Sequence, residues 1–231
     1  MINNPVIKVI IPALNEENAI GRVIEELPDH IIAEIVVIDN GSGDQTYQKA
    51  IEKGAKAIKE PRRGYGQACL TGIKHISQQN PKPDIVVFID GDHSDFPEKL
   101  IDLINPIINE EADLVIGSRA LGNKEDGSMT FPQIFGNWLA TTLLRLFYGA
   151  KFTDLGPFRA IRYGSLMQLG MSDTNYGWTV EMQLKAVKYK LRYTEIPVDY
   201  RRRIGFSKIS GTISGTIMAG YKIIWTIIRY L

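Results

Sequence analysis

The first half of this chain alternates short β-branched runs with longer amphipathic stretches, and this rhythm limits its fold more than any other feature. The pattern predicts strands at 6–11, 35–38, 55–58, 85–89 and 114–116, and helices at 19–27, 46–53, 67–77 and 97–108. Parallel strands that are joined through helices require right-handed crossovers. The sequence therefore predicts an α/β fold with a Rossmann-like, mostly parallel sheet and helices on both faces.

Size and composition set limits on domain number and compartment. A chain of 231 residues with 44% hydrophobic content can bury one large core without cross-links. Its single cysteine, Cys69, excludes an internal disulfide framework and agrees with a reducing compartment. The polar pair Asn3-Asn4 interrupts any signal-peptide core, and a net charge of +1 gives no general case for binding nucleic acid. We therefore expect a cytoplasmic protein whose charged contacts are local.

The second half of the chain changes character. A polar loop at 121–130 precedes a helix that Pro132 introduces and that runs to about residue 148, and a second change in composition follows Asp199. The stretch 213–231 is strongly apolar, but glycine, lysine and arginine interrupt it before it reaches the roughly 20 apolar residues of a membrane span. We expect one domain at 1–210 and an amphipathic helix at 211–231, either part of that domain or a membrane or oligomer contact.

In such sheets, ligands bind beyond the carboxyl ends of the strands. The first predicted strand ends in a polar cluster that contains Asn15, and the second ends at Asp39, which a glycine-rich turn with Asp44 follows. A carboxylate at a strand tip suits hydrogen bonds from a nucleobase N–H or a ribose hydroxyl. Helix capping by Asn15 and Asp44 accounts for the same residues without a ligand.

The fourth predicted strand ends in two carboxylates, Asp90 and Asp92, on either side of Gly91. Side chains two apart in an extended chain point to the same side, and hard oxygen ligands suit Mg²⁺ or Mn²⁺. The two carboxylates repel each other unless a cation neutralises them, and a solvated acidic turn is the alternative. A metal held there would stabilise charge on a departing diphosphate. No glycine-rich run precedes a Lys-Ser or Lys-Thr pair, which disfavours nucleoside triphosphate hydrolysis.

Three strand-end segments occur in a fixed order: Pro-Ala-Leu-Asn-Glu-Glu, Ile-Asp-Asn-Gly-Ser-Gly-Asp-Gln-Thr and Asp-Gly-Asp. Together they resemble the family 2 glycosyltransferases of the GT-A fold. The chain is most similar to the dolichyl-phosphate or polyprenyl-phosphate mannose and glucose synthases, over residues 6 to 210. The resemblance implies metal-dependent, inverting transfer of a hexose from a UDP-glucose or GDP-mannose type donor to a lipid phosphate. No side chain in these segments distinguishes uracil from guanine or glucose from mannose.

Position by position, the resemblance also implies a donor site. Asp39 would hold the base, Asp44 would order its loop or touch the ligand, and Asp90 and Asp92 would bind the metal. In the segment 62–68, glycines would let the backbone approach the nucleotide while a basic side chain reaches phosphate, although a basic surface turn is the alternative. The remaining positions implied to contact the donor are Pro12, Ala13, Asn15, Glu16, Arg63, Gly64, Gln67 and Gly91.

Two basic segments resemble the phosphate-binding elements of the family. Gly-Ser-Arg at 117–119 implies that Arg119 lies near the donor or the acceptor phosphate. The segment 201–208 resembles the Arg-x-x-Gly-x-Ser-Lys element that closes over the diphosphate and the acceptor's phosphate, and it selects Arg203, Ser207 and Lys208. A guanidinium fork suits phosphate better than a lone ammonium. A solvated basic stretch is the alternative interpretation.

The segment that meets the acceptor departs from the family. Many relatives carry Ser-Gly-Phe or Glu-Asp there, whereas this chain reads Thr-Asp-Leu-Gly-Pro-Phe-Arg at 153–159. A hydroxyl acceptor, on a soluble molecule or a saccharide, would need Asp154 or Glu181 as general base, although Glu181 could equally pair with Lys185 four positions on. A phosphate acceptor is already anionic and needs no base. The missing Glu-Asp pair and the basic segment favour phosphate.

Two apolar stripes complete the sequence-based hypotheses. They comprise Trp138, Leu139, Leu143, Leu144, Leu146 and Phe147 on one helix, and Ile213, Ile217, Tyr221, Ile224, Trp225 and Ile228 on the other. Such stripes usually face a core, but a membrane interface or a contact between copies would explain them too. A nucleotidyltransferase is disfavoured because no glycine-rich activation loop follows the first strand. A non-catalytic sugar-nucleotide binding module would not need the paired aspartates.

Overall fold

The computed structural model describes residues 2, 4–205 and 213–230. Its strands are β1 (Ile7–Ala13), β2 (Ile32–Asp39), β3 (Lys56–Lys59), β4 (Ile85–Phe88), β5 (Leu114–Ser118), β6 (Arg159–Arg162) and β7 (Tyr193–Pro197). They form one sheet in the order β3-β2-β1-β4-β6-β5-β7, in which β6 alone runs antiparallel to its neighbours β4 and β5 within the described residues. The predicted α/β fold with a mostly parallel sheet is confirmed.

Helices cover both faces of the sheet. They are α1 (Ile20–Glu26), α2 (Thr46–Glu52), α3 (Tyr65–Ser77), α4 (Leu100–Ile108), α5 (Phe131–Tyr148), α6 (Tyr163–Leu169), α7 (Trp178–Lys188) and α8 (Ile213–Arg229). Alternate residues of β1 serve different faces: Val9 and Ile11 pack with α1 and α4, whereas Ile10 packs with α3 and α7. Cys69 lies in this second layer, buried, as predicted.

The central strand explains where the site forms. Every residue of β1 is buried, as a strand between two parallel neighbours with both faces covered requires. Ala13 at its carboxyl end pairs with Asp39 of β2, and Ile10 pairs with Phe88 of β4. The segments that follow these three strands therefore meet at one edge of the sheet.

Strands β6 and β7 were not predicted from the sequence. β6 begins and ends with arginine, yet Arg159 is fully buried. Its guanidinium donates hydrogen bonds to the backbone carbonyls of Leu155, Gly156 and Thr179, each at 3.0 Å. Burial lowers the pKa of Arg159 to about 10. Because a charged residue is buried in this strand, polar and apolar residues do not alternate along β6 as they do in most strands with one buried face. The sequence pattern therefore did not predict β6.

The two apolar stripes prove to be largely exposed. On α5, Leu144 is buried, but Trp138, Leu146 and Phe147 face outward. On α8, burial is described from residue 217 onward, and the side chain of Ile213 lies outside the described residues. In the described part, Thr226 and Ile227 are buried, whereas four predicted stripe residues are exposed: Ile217, Tyr221, Trp225 and Ile228. The aromatic rings of Phe131, Phe135 and Trp138 form a row, with centroids 6.4 and 5.7 Å apart. No helix within the described part of the chain has both the length and the apolar character to cross a bilayer.

Helix α8 is fastened to the rest of the domain by polar contacts. Lys222 forms an ion pair of 3.1 Å with Asp173, which lies in the connection between α6 and α7. The hydroxyl of Tyr230 donates to Glu181 of α7 at 2.9 Å. The hydroxyl of Tyr148 at the end of α5 donates to the carbonyl of Ile227 at 2.7 Å. These bonds tie α8 to α5, to α7 and to the α6–α7 connection.

Candidate functional site

Two cavities open at the edge where β1, β2 and β4 end. The first has a volume of about 350 Å³ and is lined by Pro12, Ala13, Leu14, Glu16, Asn40, Arg63, Gly64, Tyr65, Ala68, Asp90, Gly91, Asp92, Asn175, Tyr176 and Arg203. The second has a volume of about 280 Å³ and extends between α5 and α8. Both cavities are lined by the same five residues where they meet: Tyr65, Asp90, Asp92, Tyr176 and Arg203.

The acid pair lies at this junction. Asp92 accepts hydrogen bonds from the backbone N–H of Ser94 at 2.9 Å and from the Ser94 hydroxyl. Oδ1 of Asp90 is buried and has no hydrogen-bond partner among the described residues. Burial, and then repulsion from Asp92, raise the pKa of Asp90 to about 7. Tyr65, Arg203 and Arg119 stabilise the ionised form of Asp90, but they do not outweigh burial and the charge of Asp92.

This arrangement fits a divalent cation. No group of three or more acidic, histidine or cysteine side chains among the residues with assigned positions could hold a metal. Mg²⁺ and Mn²⁺ often bind through one or two carboxylates, with water and substrate phosphates completing the shell. The unpartnered oxygen of Asp90 and the neighbouring carboxylate of Asp92 supply such a half-shell beside a cavity large enough for a diphosphate.

Arg203 spans the acid pair and the first cavity. Its Nη1 lies 3.2 Å from Oδ2 of Asp92, and its Nη2 donates to Oε1 of Glu16 at 2.8 Å. Its Nε is buried and has no hydrogen-bond partner among the described residues. One guanidinium therefore joins carboxylates from two different strand ends and keeps a donor in reserve. Ser207 and Lys208, predicted to act with it, lie outside the described residues.

Two neighbouring arginines fix the position of Arg203. We call residues 199–205 the strap. Arg201 donates to the carbonyl of His93 at 2.8 Å and to Glu26 at 2.6 Å. On the other side, the backbone N–H of Arg202 donates to Glu125 at 2.7 Å. These bonds anchor the strap to separate parts of the chain, at Glu26 and His93 through Arg201 and at Glu125 through Arg202.

Arg119 and Asp154 form a buried pair beside the second cavity. Arg119 donates from Nε at 2.8 Å, from Nη2 at 2.7 Å and from its backbone N–H at 2.8 Å, all to the carboxylate of Asp154. Asp154 is 1% exposed, and Arg119, but not Asp154, lines the cavity. Asp154 is therefore occupied in holding Arg119, and its surroundings do not support the predicted alternative of a general base.

Glu181 lies outside both cavities. Its carboxylate accepts hydrogen bonds from the hydroxyl of Ser172 at 2.7 Å and from the backbone N–H of Asp173 at 2.8 Å, and it pairs with Lys185 at 2.8 Å. Burial raises the pKa of Glu181, but these bonds, led by that from Lys185, lower it below its ordinary value. The sequence alternative of a pair with Lys185 is confirmed, and this environment does not support Glu181 as a base.

The polar residues of the first two strand ends hold loops together. Asn15 accepts a hydrogen bond from the backbone of Gly43 at 2.8 Å, and Asp39 accepts one from the backbone of Ser42 at 3.0 Å. Asp44 accepts bonds from the backbone N–H groups of Thr46 at 3.0 Å and of Glu17 at 3.2 Å. Neither Asp39 nor Asp44 is among the residues that line the two cavities. The predicted loop-ordering role of Asp44 matches these contacts.

The segment 62–68 is arranged differently from the expectation. A Cβ atom on Gly64 would lie 2.1 Å from the carbonyl oxygen of Thr174, and one on Gly66 would lie equally close to that of Asp173. These glycines therefore admit the α6–α7 connection at close range, a contact that the expectation did not include. Gln67, predicted to contact the donor, donates to Glu60 at 3.1 Å and lines neither cavity. Arg63 and Gly64 do line the first cavity.

Asn40, Asn175 and Tyr176 are among the cavity-lining residues that were not predicted from the sequence. Asn40 follows Asp39 and uses its side chain to join the backbone of Arg62, at 2.7 Å, to that of Gly64, at 2.8 Å. Asn175 and Tyr176 reach the site because the two glycines at 64 and 66 accommodate their segment. The Gly-x-Gly spacing was the available signal, but it indicated a close backbone approach without revealing which backbone approaches.

The wall of the second cavity is mostly apolar away from the acid pair. Beyond the shared residues and Arg119, it is formed by Met129, Pro132, Gln133, Gly136, Asn137, Leu155, Pro157, Thr179, Tyr200, Ala219, Gly220 and Ile223. Residues from α5 and α8 stand on facing sides, next to the exposed apolar residues of the same helices. The cavity thus connects a charged end at Arg119 and Arg203 with an apolar surface.

The sequence model of glycosyl transferase family 2 matches residues 8–170 of this chain. An uncharacterised glycosyltransferase of Mycobacterium tuberculosis is 32% identical over 220 residues, which cover 92% of this chain and 94% of that protein. UDP-N-acetylglucosamine–dolichyl-phosphate N-acetylglucosaminyltransferase of Methanococcus voltae is 30% identical over 243 residues, covering 96% of this chain and 94% of that protein. The fold is similar to that of glucosyl-3-phosphoglycerate synthase from Mycobacterium tuberculosis, which was solved with Mn²⁺, UDP and glucosyl-3-phosphoglycerate. The TM-score is 0.77 at 22% sequence identity, and the match covers 98% of this chain and 80% of that one.

Proposed function

The chain belongs to glycosyltransferase family 2, and we propose that it transfers a hexose from a nucleoside-diphosphate sugar to the phosphate of a polyprenyl or dolichyl lipid. The observation that carries this proposal is the meeting of two cavities at Asp90, Asp92 and Arg203. An inverting transferase must hold donor and acceptor on opposite sides of one reacting carbon. The first cavity would receive the nucleotide and the second the acceptor, with the sugar at their junction.

On the donor side, the chain offers carboxylates for a cation and a guanidinium for the diphosphate. Mg²⁺ or Mn²⁺ at Asp90 and Asp92 would stabilise the negative charge that develops on the departing diphosphate. The unpartnered Nε of Arg203 would donate to a phosphate oxygen, and Arg63 at the other end of the cavity would add positive charge. The solved structure of similar fold contains Mn²⁺ and UDP, which supports testing this pair first.

On the acceptor side, the described lining of the second cavity offers positive charge, and its carboxylates, Asp90 and Asp92, are the two assigned to the metal. Arg119, fixed by Asp154, lines the second cavity together with Arg203, whereas Glu181 lies elsewhere. A phosphate oxygen is already anionic and needs only to be positioned and screened, so this set of residues suits phosphate better than a hydroxyl. The Methanococcus voltae relative is named for a dolichyl-phosphate acceptor, which supports the same class.

The apolar faces of α5 and α8 would bring the protein to its lipid. Trp138, Phe135 and Trp225 are exposed next to the second cavity, and aromatic side chains favour the interface between water and hydrocarbon. A long prenyl chain could then remain in the bilayer while its phosphate enters between the two helices. We propose peripheral binding at the cytoplasmic face of a membrane.

A transfer assay tests the proposal. The purified protein is incubated with Mn²⁺, a panel of UDP- and GDP-sugars and a short polyprenyl phosphate, and glycolipid is detected by mass spectrometry. Asp92→Ala should abolish product. Lys208→Ala should lose transfer and retain nucleotide binding, whereas Arg203→Ala should lose transfer and also weaken the binding of nucleoside diphosphates. Product that persists in Asp92→Ala would contradict the metal site.

The same panel includes soluble hydroxyl acceptors such as phosphoglycerate and saccharides, because the similar fold of glucosyl-3-phosphoglycerate synthase makes them the second candidates. If the sugar is transferred only to these soluble acceptors, the acceptor in the proposed function is a soluble molecule and not a lipid phosphate. Nucleotide-sugar binding without transfer to any acceptor would indicate a binding module instead of an enzyme.

A further inference from the structure

Glu16 occupies a position that the proposed nucleotide contacts do not explain. It follows β1, is 7% exposed, and directs its carboxylate across the first cavity to Nη2 of Arg203 at 2.8 Å. Its backbone N–H is held by the hydroxyl of Thr46 at 2.7 Å, which fixes the residue on the side of the cavity opposite the strap. A buried carboxylate that is fixed at its backbone and bound to a guanidinium across a cavity is suited to placing that guanidinium.

Asp92, the second anchor of Arg203, is also a proposed metal ligand. Its Oδ2 lies 3.2 Å from Nη1 of Arg203. A divalent cation on Asp92 would compete with the guanidinium for the same oxygen atoms and would repel its positive charge. Once the metal and diphosphate are bound, Arg203 would therefore lose much of its attraction to Asp92, and Glu16 would remain as its carboxylate partner in the first cavity.

We propose that Glu16 is a positioning residue that keeps Arg203 directed at the donor diphosphate when metal binds to Asp92. The buried Nε of Arg203, without a hydrogen-bond partner in the described part of the chain, is the donor that Glu16 would hold in place for a phosphate oxygen. This role rests on the proposed function. It differs from a direct contact of Glu16 with base or ribose, because Glu16 would act through Arg203 on ligands that carry the second phosphate.

A double-mutant cycle separates these roles. The wild-type protein and the variants Glu16→Gln, Arg203→Gln and the combination of both are titrated by calorimetry with UMP, UDP, GMP and GDP in the presence of Mn²⁺. Glu16→Gln keeps an acceptor oxygen but loses the charge that strengthens the hydrogen bond from Arg203, so it should weaken diphosphate binding about 10-fold and leave monophosphate binding within about twofold of wild type. In the Arg203→Gln background, the same change should weaken diphosphate binding by less than about twofold.

A matched control neutralises another carboxylate that contacts the strap. Glu125 accepts from the backbone N–H of Arg202 and lines neither cavity. Because glutamine keeps an acceptor oxygen for this bond, Glu125→Gln should bind both classes of nucleotide as wild type does. If Glu16→Gln does not fold, as judged by circular dichroism, Glu16→Asp replaces it, since it shortens the side chain and breaks the 2.8 Å contact.

Three results would overturn the assignment. These are equal losses for mono- and diphosphates in Glu16→Gln, a further large loss from Glu16→Gln in the Arg203→Gln background, or a similar loss in Glu125→Gln. If the wild-type protein binds none of the four nucleotides, the proposed function itself fails, and the role of Glu16 fails with it.

Discussion

Replacing Asp90 by asparagine is expected to stabilise the protein while removing a metal ligand. Burial and the neighbouring charge of Asp92 raise the pKa of Asp90 from 3.8 to about 7. A shift of this size corresponds to about 4 kcal/mol of free energy, since one pKa unit is worth about 1.4 kcal/mol. Below about pH 4 the carboxyl is protonated in both the folded and unfolded chains, so asparagine and aspartate should then be equivalent in charge.

Between about pH 4 and 7, the unfolded chain releases this proton while the folded chain retains it. The stability contributed by the protonated Asp90 is therefore lost as the pH rises through this window, whereas the Asp90→Asn variant loses none by this route. The stability advantage of Asp90→Asn should be about 1.5 kcal/mol at pH 5 and about 4 kcal/mol at pH 8. Urea unfolding of both proteins at the two pH values, with EDTA present, measures it.

The matched control is Asp92→Asn. Asp92 accepts hydrogen bonds from Ser94 and pairs with Arg203, so its replacement should destabilise the protein by about 1–3 kcal/mol. Both variants should bind Mn²⁺ and nucleoside diphosphate more weakly than wild type. An advantage of Asp90→Asn that does not grow between pH 5 and 8, or a loss of stability at pH 8, would refute the explanation given for the acid pair.

Three further predictions concern other parts of the molecule. Asp154→Asn should lower the unfolding free energy by about 3–5 kcal/mol, because it leaves Arg119 without its charged partner. Urea unfolding tests this prediction, and a change below about 1 kcal/mol would contradict it. Replacing Phe135 and Trp138 together by serine should abolish flotation with anionic vesicles without lowering the melting temperature, since both are exposed; unchanged flotation would exclude this face as the membrane contact. Hydrogen bonds from Gln79 and His75, together with Lys8, outweigh burial and lower the pKa of Glu34. The protein should therefore lose stability as the pH falls below about 4.5. Glu34→Gln should flatten this part of the pH profile, which thermal unfolding measures.

The strand ends could be predicted from the sequence because a parallel sheet leaves few places for polar residues. Asp90 and Asp92 follow an uninterrupted apolar run, and the order of the neighbouring strands brings them beside the segment after β1. The bounds of the first-half helices also agree to within about three residues, since their apolar periodicity reflects burial against the sheet. In the first half of the chain, the local apolar pattern therefore favours the same helices and strands that the folded sheet requires.

The remaining details depend on partners that are distant in the sequence. Nothing near Asp154 reveals that Arg119, 35 positions away, uses its carboxylate. Likewise, Gly64 and Gly66 signal a close approach, but Thr174 lies more than 100 residues further on. The apolar stripes of α5 and α8 show the same limit, because periodicity identifies a face without identifying what covers it.

The attachment of α8 has a consequence for how location and activity are related. Lys222 forms an ion pair with Asp173. Asn175 and Tyr176, which follow Asp173 closely in the chain, line the first cavity, where we propose that the donor binds. A shift of α8, for example when it docks on a lipid surface, would therefore move the residues that line the cavities through the ion pair between Lys222 and Asp173. The surroundings of the protein would then adjust the geometry in which the sugar is received.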